Sequence, residues 1–260
     1  MVIYKPLYGE SGTWVRPLSM WNDLINVDGK TVKRFTNVTE EKLACSLTAE
    51  TTELVPFLPY LLQDFWELGS DPDVMASLIK THTNITENTR ILDLACGKGA
   101  VSVKVAHKLQ IKVKGIDIIS EFIEFATEKA KEWKVDNLCE FAVSDINDAV
   151  STERGYDCVI FGAVGNVLGN PAETLEKLKS TIKTGGYILI DEAYLPDNGK
   201  QEDLNHDNYE LLTKQQWTNL FAEMGLELVE TISGDNFADM SNPDSDEGMA
   251  FIIARANELI

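Results

Sequence analysis

Ile91-Leu-Asp-Leu-Ala-Cys-Gly-Lys-Gly99 is an apolar strand that ends in an acid and passes through small residues and two glycines into a helix starting near Ala100. Glycines at such a bend let the backbone turn tightly and approach a ligand, and the helix start behind them presents N–H groups without intrahelical partners. Alone, Gly-x-Gly also describes an ordinary structural turn. The neighbouring strands decide between the readings. Val113-Lys-Gly-Ile-Asp117 ends in an acid twenty residues past Gly97, and a carboxylate at a strand tip can accept both hydroxyls of a ribose. The third strand leads into Ser144-Asp145-Ile146, where a further carboxylate can accept the amino group of an adenine. Acids also end strands because turns are polar, but the joint occurrence of Asp93, Asp117 and Asp145 favours a nucleoside site.

Working outward, β-branched apolar runs alternate with amphipathic helices beyond residue 90, the pattern of βαβ units and a parallel sheet. Strands are expected at Arg90 to Leu94, Lys112 to Asp117, Cys139 to Val143, Tyr156 to Phe161 and Gly186 to Asp191. Ser120 is expected to cap a helix with Phe122, Ile123, Ala126, Ala130 and Trp133 on one face. Asn170-Pro171 starts another, bearing Leu175, Leu178 and Ile182 and stopped by Gly185-Gly186. Thr213-x-x-Gln216 is a capping box for a helix that presents Trp217, Leu220, Phe221 and Met224 inward and closes at Gly225. Two further strand candidates, Leu226 to Ile232 and Ala250 to Ala254, have no helix pattern between them, which suggests an antiparallel hairpin.

The motifs in residues 90–195 resemble class I S-adenosylmethionine-dependent methyltransferases: Asp93-Leu-Ala-Cys-Gly-Lys-Gly99, Gly115-Ile-Asp-Ile-Ile-Ser120, Ser144-Asp145, Tyr156-Asp-Cys-Val-Ile160 and Lys183-Thr-Gly-Gly-Tyr-Ile-Leu-Ile190. The resemblance extends over about residues 54–260. It implies an α/β, Rossmann-like seven-stranded sheet, mostly parallel with an antiparallel last strand and helices on both faces. It also implies that Asp93, Ala95, Gly97 and Gly99 surround the methionine part of the cofactor, S-adenosylmethionine. Asp117 would hold the ribose, with Ile118 next to it also in the cofactor site; Asp145 and Ile146 would face the adenine, and Phe161, Gly162 and Ala163 would lie beneath the sulfonium. Ala95 stands where the family's motif usually has its first glycine. A dinucleotide loop is the competing reading, but its third glycine would fall at Ser102, and an acid at Asp93 is not expected there.

A sulfonium methyl is already activated, so alignment of the two partners can supply most of the rate and no protein nucleophile is required. Where a base is needed, the candidates are Tyr194, in Asp191-Glu-Ala-Tyr194, and His206, ahead of Asp207 and Tyr209; a hydrated loop without a catalytic histidine competes with that reading. Phe57, Tyr60, Phe65 and Trp66 either cover the acceptor or pack in the core, and Lys98 and Lys104 read as solvated. The expected activity is methyl transfer to a small-molecule substrate (EC 2.1.1.-), with S-adenosylhomocysteine as product. The alternatives are a non-catalytic S-adenosylmethionine-binding regulatory or assembly module and, less favoured, a protein methyltransferase.

A net charge of −19 over 260 residues, with pI near 4.5, opposes binding to nucleic acid and to anionic membranes. The apolar runs are far short of a membrane span and the start does not read as a signal peptide, so a cytoplasmic protein is expected. Cys45, Cys96, Cys139 and Cys158 form no Cys-x-x-Cys pair and do not cluster with His82, His107 and His206, which argues against a metal site or a disulfide framework. The acidic stretch with Asn242-x-Asp244-x-Asp246 lacks the closing glutamate of a calcium loop.

Residues 1–37 differ locally, carrying Lys5, Arg16, Lys30, Lys33 and Arg34 against Glu10, Asp23 and Asp28. Strands around Gly9-Glu-Ser-Gly12 and a tight turn at Asp28-Gly29 make this a β-rich extension, with a methyltransferase domain over 38–260. The extension resembles the second half of a small bacterial β domain of unassigned function through Tyr8-Gly9, Trp14-Val-Arg-Pro-Leu18, Val27-Asp-Gly-Lys30 and Arg34-Phe35. It is a structural appendage on this reading, and a candidate homodimer contact.

Overall fold

The computed structural model describes residues 2–4, 14–16, 24–27, 30–33, 52–195, 211–232, 250 and 252–256. Contacts divide the chain into two units, Met1–Lys42 and Leu43–Ile260. In the first, β1 (Val2–Tyr4) pairs antiparallel with β2 (Trp14–Arg16), and β3 (Leu24–Val27) with β4 (Lys30–Lys33). Val27 pairs with Lys30, and the tight turn expected at Asp28-Gly29 lies outside the described residues.

The second unit is built on five parallel strands in the order β7-β6-β5-β8-β9. These are β5 (Arg90–Leu94), β6 (Lys112–Asp117), β7 (Cys139–Val143), β8 (Tyr156–Gly162) and β9 (Ile182–Asp191). Ahead of them lie a 3-10 turn (Thr52–Phe57), the short helix α1 (Leu58–Leu61) and α2 (Pro72–His82). The crossovers are α3 (Ala100–Leu109), α4 (Ser120–Glu132), α5 (Ile146–Thr152) and α6 (Pro171–Thr181), and α7 (Lys214–Glu223) follows.

Alternation along β5 explains the layers. Ile91 faces a cluster with Met75, Ile79, Val103, Ala106 and Ala130, whereas Leu92 and Leu94 face one with Ile116, Val150, Val159 and Leu178. Both faces are therefore apolar and each carries helices, the usual burial of a parallel sheet. The chain runs outward from β5 to β6 and β7, then returns to the other side of β5 for β8 and β9. That reversal makes a topological switch point at the carboxyl ends of β5 and β8, the crevice position at which such sheets bind ligands.

Several boundaries differ from expectation. Ser120 is the first residue of α4, its N-cap is Ile119, and the Ile119 N–H instead bonds Asp117 Oδ1 at 2.9 Å. β9 starts at Ile182 rather than Gly186; the register shift between Tyr156↔Ile182 and Cys158↔Tyr187 absorbs the extra residues, with Gly185 at φ 76°. Capping boxes form at Asn170/Glu173 and Thr213/Gln216, but the apolar face of α7 is only half-buried. The expected sixth and seventh strands are not formed among the described residues. Leu226–Ile232 runs without a ladder, lining a groove of about 780 Å³ beside β9, and residues 252–256 are helical. Short apolar runs such as Ile252-Ile-Ala suit either state, and over 252–256 the helix wins.

Candidate functional site

The strand tips and the glycine loop meet at the β5 end of the crevice. Ala95, Gly97 and Gly99 all adopt left-handed backbone, at φ 56°, 53° and 72°. Gly99 is the N-cap of α3 and supplies no side-chain cap, and in the first turn the Ser102 N–H bonds the Asp93 carboxylate. A Cβ on Gly99 would lie 2.6 Å from Ala126 Cβ and 3.1 Å from the Phe141 ring. Gly99→Ala therefore combines left-handed strain with overpacking, and a destabilisation of about 3 kcal/mol is expected in urea unfolding. Ala95→Gly has the opposite sign: relief of strain outweighs added unfolded-state freedom, raising stability by about 0.5–1 kcal/mol in the same assay.

Asp117 fixes the loop. Its Oδ2 accepts the Gly97 N–H at 2.8 Å and its Oδ1 the Ile119 N–H at 2.9 Å. Burial raises its pKa, opposed by those backbone N–H groups. Beside it Ile118 is 36% exposed, an apolar surface next to the strand-tip carboxylate. Asp93 is only 4% exposed and its Oδ2 accepts the Ser102 hydroxyl at 2.6 Å. Burial, helped by the charge of Asp117, raises its carboxyl to about 7. Asp145 stands at the tip of β7 as the N-cap of α5, accepting the Asn147 N–H at 2.8 Å.

Other expected residues are placed differently. Ile146 and Phe161 are buried in the hydrophobic cluster on the α5 and α6 face, so their side chains serve packing. Gly162 is half-buried and Ala163 is exposed at φ 54°, which makes these two the surface at the β8 tip. Tyr194 is 47% exposed. His206, with Tyr209, lies outside the described residues. Trp66 packs rather than lines a pocket, with Lys104 and Lys129 Nζ 5.2 and 5.1 Å from its ring and Trp133 edge-on at 5.4 Å. Phe65 is buried and Phe57 exposed.

Two features were not read from the sequence. The loop Leu68-Gly69-Ser70 is seated on the crevice: Leu68 Cδ1 is 3.3 Å from where a Gly97 Cβ would be, a Gly69 Cβ would lie 2.7 Å from Ala163 Cβ, and Ser70 Oγ is 2.0 Å from a Cβ on Gly162. Lys98, expected to be solvated, is instead 4% exposed, and burial lowers its pKa to about 8. Desolvation pushes up the thiols of half-buried Cys96 and Cys139 and of buried Cys158, Cys139 to about 12, and unreactive thiols follow. Among the described residues no group of three or more His, Cys, Asp or Glu side chains could hold a metal ion, and no helix is long and apolar enough to cross a membrane.

Residues 85–225 match the family model described as a methyltransferase domain, and residues 1–37 match a family described as a protein of unknown function. The chain is 29% identical to the uncharacterized protein YjhP of Escherichia coli over 56% of this chain and 61% of YjhP. It is 30% identical to the putative methyltransferase YqeM of Bacillus subtilis over 42% of this chain and 44% of YqeM. The chain thus spans about half of the length of these curated relatives. Among solved structures, it is similar to an S-adenosylmethionine-dependent methyltransferase from Geobacter sulfurreducens in complex with S-adenosyl-L-homocysteine, at TM-score 0.61 and 22% identity, covering 78% of this chain and 90% of that one.

Proposed function

Because the methyltransferase-domain model matches more than half of the chain, the protein belongs to that family, and we propose that it transfers a methyl group from S-adenosylmethionine to a small molecule. The product is S-adenosylhomocysteine. The observation that carries this reading is the Asp117 carboxylate, held at the β6 tip by the Gly97 and Ile119 N–H groups beside exposed Ile118.

The crevice fits the nucleoside chemically. Asp117 has lone pairs left for ribose hydroxyls, Asp145 stands at the next tip for the adenine amino group, and the start of α3 offers N–H groups to the methionine carboxylate. Asp93 supplies a carboxyl next to the position of the methionine ammonium. When bound, the sulfonium supplies an activated methyl, and the chain contributes alignment of that methyl with the acceptor. Tyr194 and His206 are proposed as proton acceptors where the acceptor atom carries a proton. The charge of −19 favours a small acceptor over nucleic acid, and a cytoplasmic location is part of the same reading.

Calorimetry with S-adenosylmethionine, followed by a screen of metabolites for S-adenosylhomocysteine release, tests the proposal. Binding with turnover of one acceptor class is expected. No binding overturns the nucleoside site; binding without release from any acceptor turns the reading to a non-catalytic module.

A further inference from the structure

The loop over the crevice is fastened to the glycine loop through one residue. Lys98 Nζ donates to the carbonyls of Leu62 and Phe65, each at 2.6 Å, and the Trp66 indole N–H donates to the Lys98 carbonyl at 3.0 Å. The lysine stem passes into an aromatic lining, with Nζ 4.9 Å from the Phe125 ring centroid and 5.9 Å from that of Phe122. Other ties of this segment lead elsewhere. Glu67 pairs with Lys104 on α3, and Asp64 takes Arg255 at 3.1 Å through both oxygens.

The seating of Leu68, Gly69 and Ser70 on Gly97, Ala163 and Gly162 is tight but not self-sufficient. Ser70 Oγ is buried there without a hydrogen-bond partner, and a buried hydroxyl left unpaired costs free energy. Holding the loop down therefore requires compensation from its neighbours, and charge-assisted bonds to backbone carbonyls are the strong kind available. Resting on the crevice being the nucleoside site, we propose that Lys98 is a positioning residue that fastens Leu62–Ser70 onto the glycine loop and thereby sets how long a nucleoside stays bound. The same ammonium that would be idle on a solvated loop thus couples the backbone of the cofactor loop to the cover above it.

Stopped-flow release of S-adenosylhomocysteine, with hydrogen exchange over residues 62–70, tests this on the full chain. Lys98→Met keeps the apolar stem against Phe122 and Phe125 but removes the donors. It is expected to speed release by about tenfold or more with little change in association rate, since lost contacts act mainly on dissociation. Nucleoside-induced protection of residues 62–70 is expected in the wild type and lost in the variant. Should Lys98→Met not fold, Trp66→Phe cuts the other bond between the same two loops: faster release supports the fastening role and wild-type release overturns it. Asp117→Ala separates the two levels of the argument. If it binds the nucleoside as the wild type does, the crevice is not the site; if it loses binding while Lys98→Met releases at the wild-type rate and protects normally, only the fastening role falls.

Discussion

Asp117→Ala is expected to weaken S-adenosylmethionine binding by about a hundredfold or more, because it removes a charged acceptor and leaves buried donors unpaired. The carboxylate has two tasks. It is the proposed acceptor for the ribose hydroxyls, and it already holds the Gly97 N–H at 2.8 Å and the Ile119 N–H at 2.9 Å. Alanine abolishes both, so the loop that should cradle the methionine part loses its anchor along with the sugar contact. Asp117→Asn keeps an amide oxygen for one N–H but not the charge, and is expected to fall between alanine and the wild type. Isothermal titration at constant ionic strength reads both; unchanged affinity in the alanine variant would remove the crevice from consideration.

Asp93→Asn is expected to make the fold more stable at pH 8 while weakening cofactor binding. The Asp93 carboxyl rises from 3.8 to about 7 in the folded chain, chiefly through burial. Between those values the folded state holds a proton that the unfolded chain has released. Stability therefore falls as pH rises through that window, by about 1.4 kcal/mol per unit, and the full cost near pH 8 is about 4 kcal/mol. Asparagine stays neutral and its amide oxygen can still accept from Ser102, so its advantage should be near zero at pH 4 and approach that full cost above pH 7. Urea unfolding of both proteins at pH 5 and pH 8 checks the sign. For binding, an ammonium beside Asp93 favours the ionised carboxylate. Wild-type affinity should therefore rise between pH 6 and pH 8, and this rise should vanish in the asparagine variant.

The five strands from Arg90 to Asp191 were legible because β-branched runs bounded by glycine and acids have few other solutions, and the three strand-tip aspartates followed from them. What lay on each side of a strand tip was harder to read. Phe161 and Ile146 adjoin the crevice in sequence, yet side-chain alternation and helix phase turn them into the core, while Gly162 and Ala163 remain at its surface. Lys98 looked solvated because lysines on loops usually are. Its two carbonyl partners lie 36 and 33 residues earlier, and no local pattern encodes a contact at that separation. Ser70 was passed over for the same reason: its closeness to Gly162 exists only once the loop before α2 crosses the end of β8. The strand expected at Ala250 to Ala254 failed for a different cause, since a short apolar run carries no periodicity that separates strand from helix.

The strand order also bears on how the chain matures. β5, β6 and β7 are consecutive and can pair as soon as they leave the ribosome, but β8 must travel back past both to reach the far side of β5. A nascent chain ending after β7 would already carry all three acids and the bend, yet it would have only half a cleft. Metabolite capture therefore has to await the arrival of residues 156–162, and a nucleoside that recognises only the finished arrangement would reward its completion by mass action.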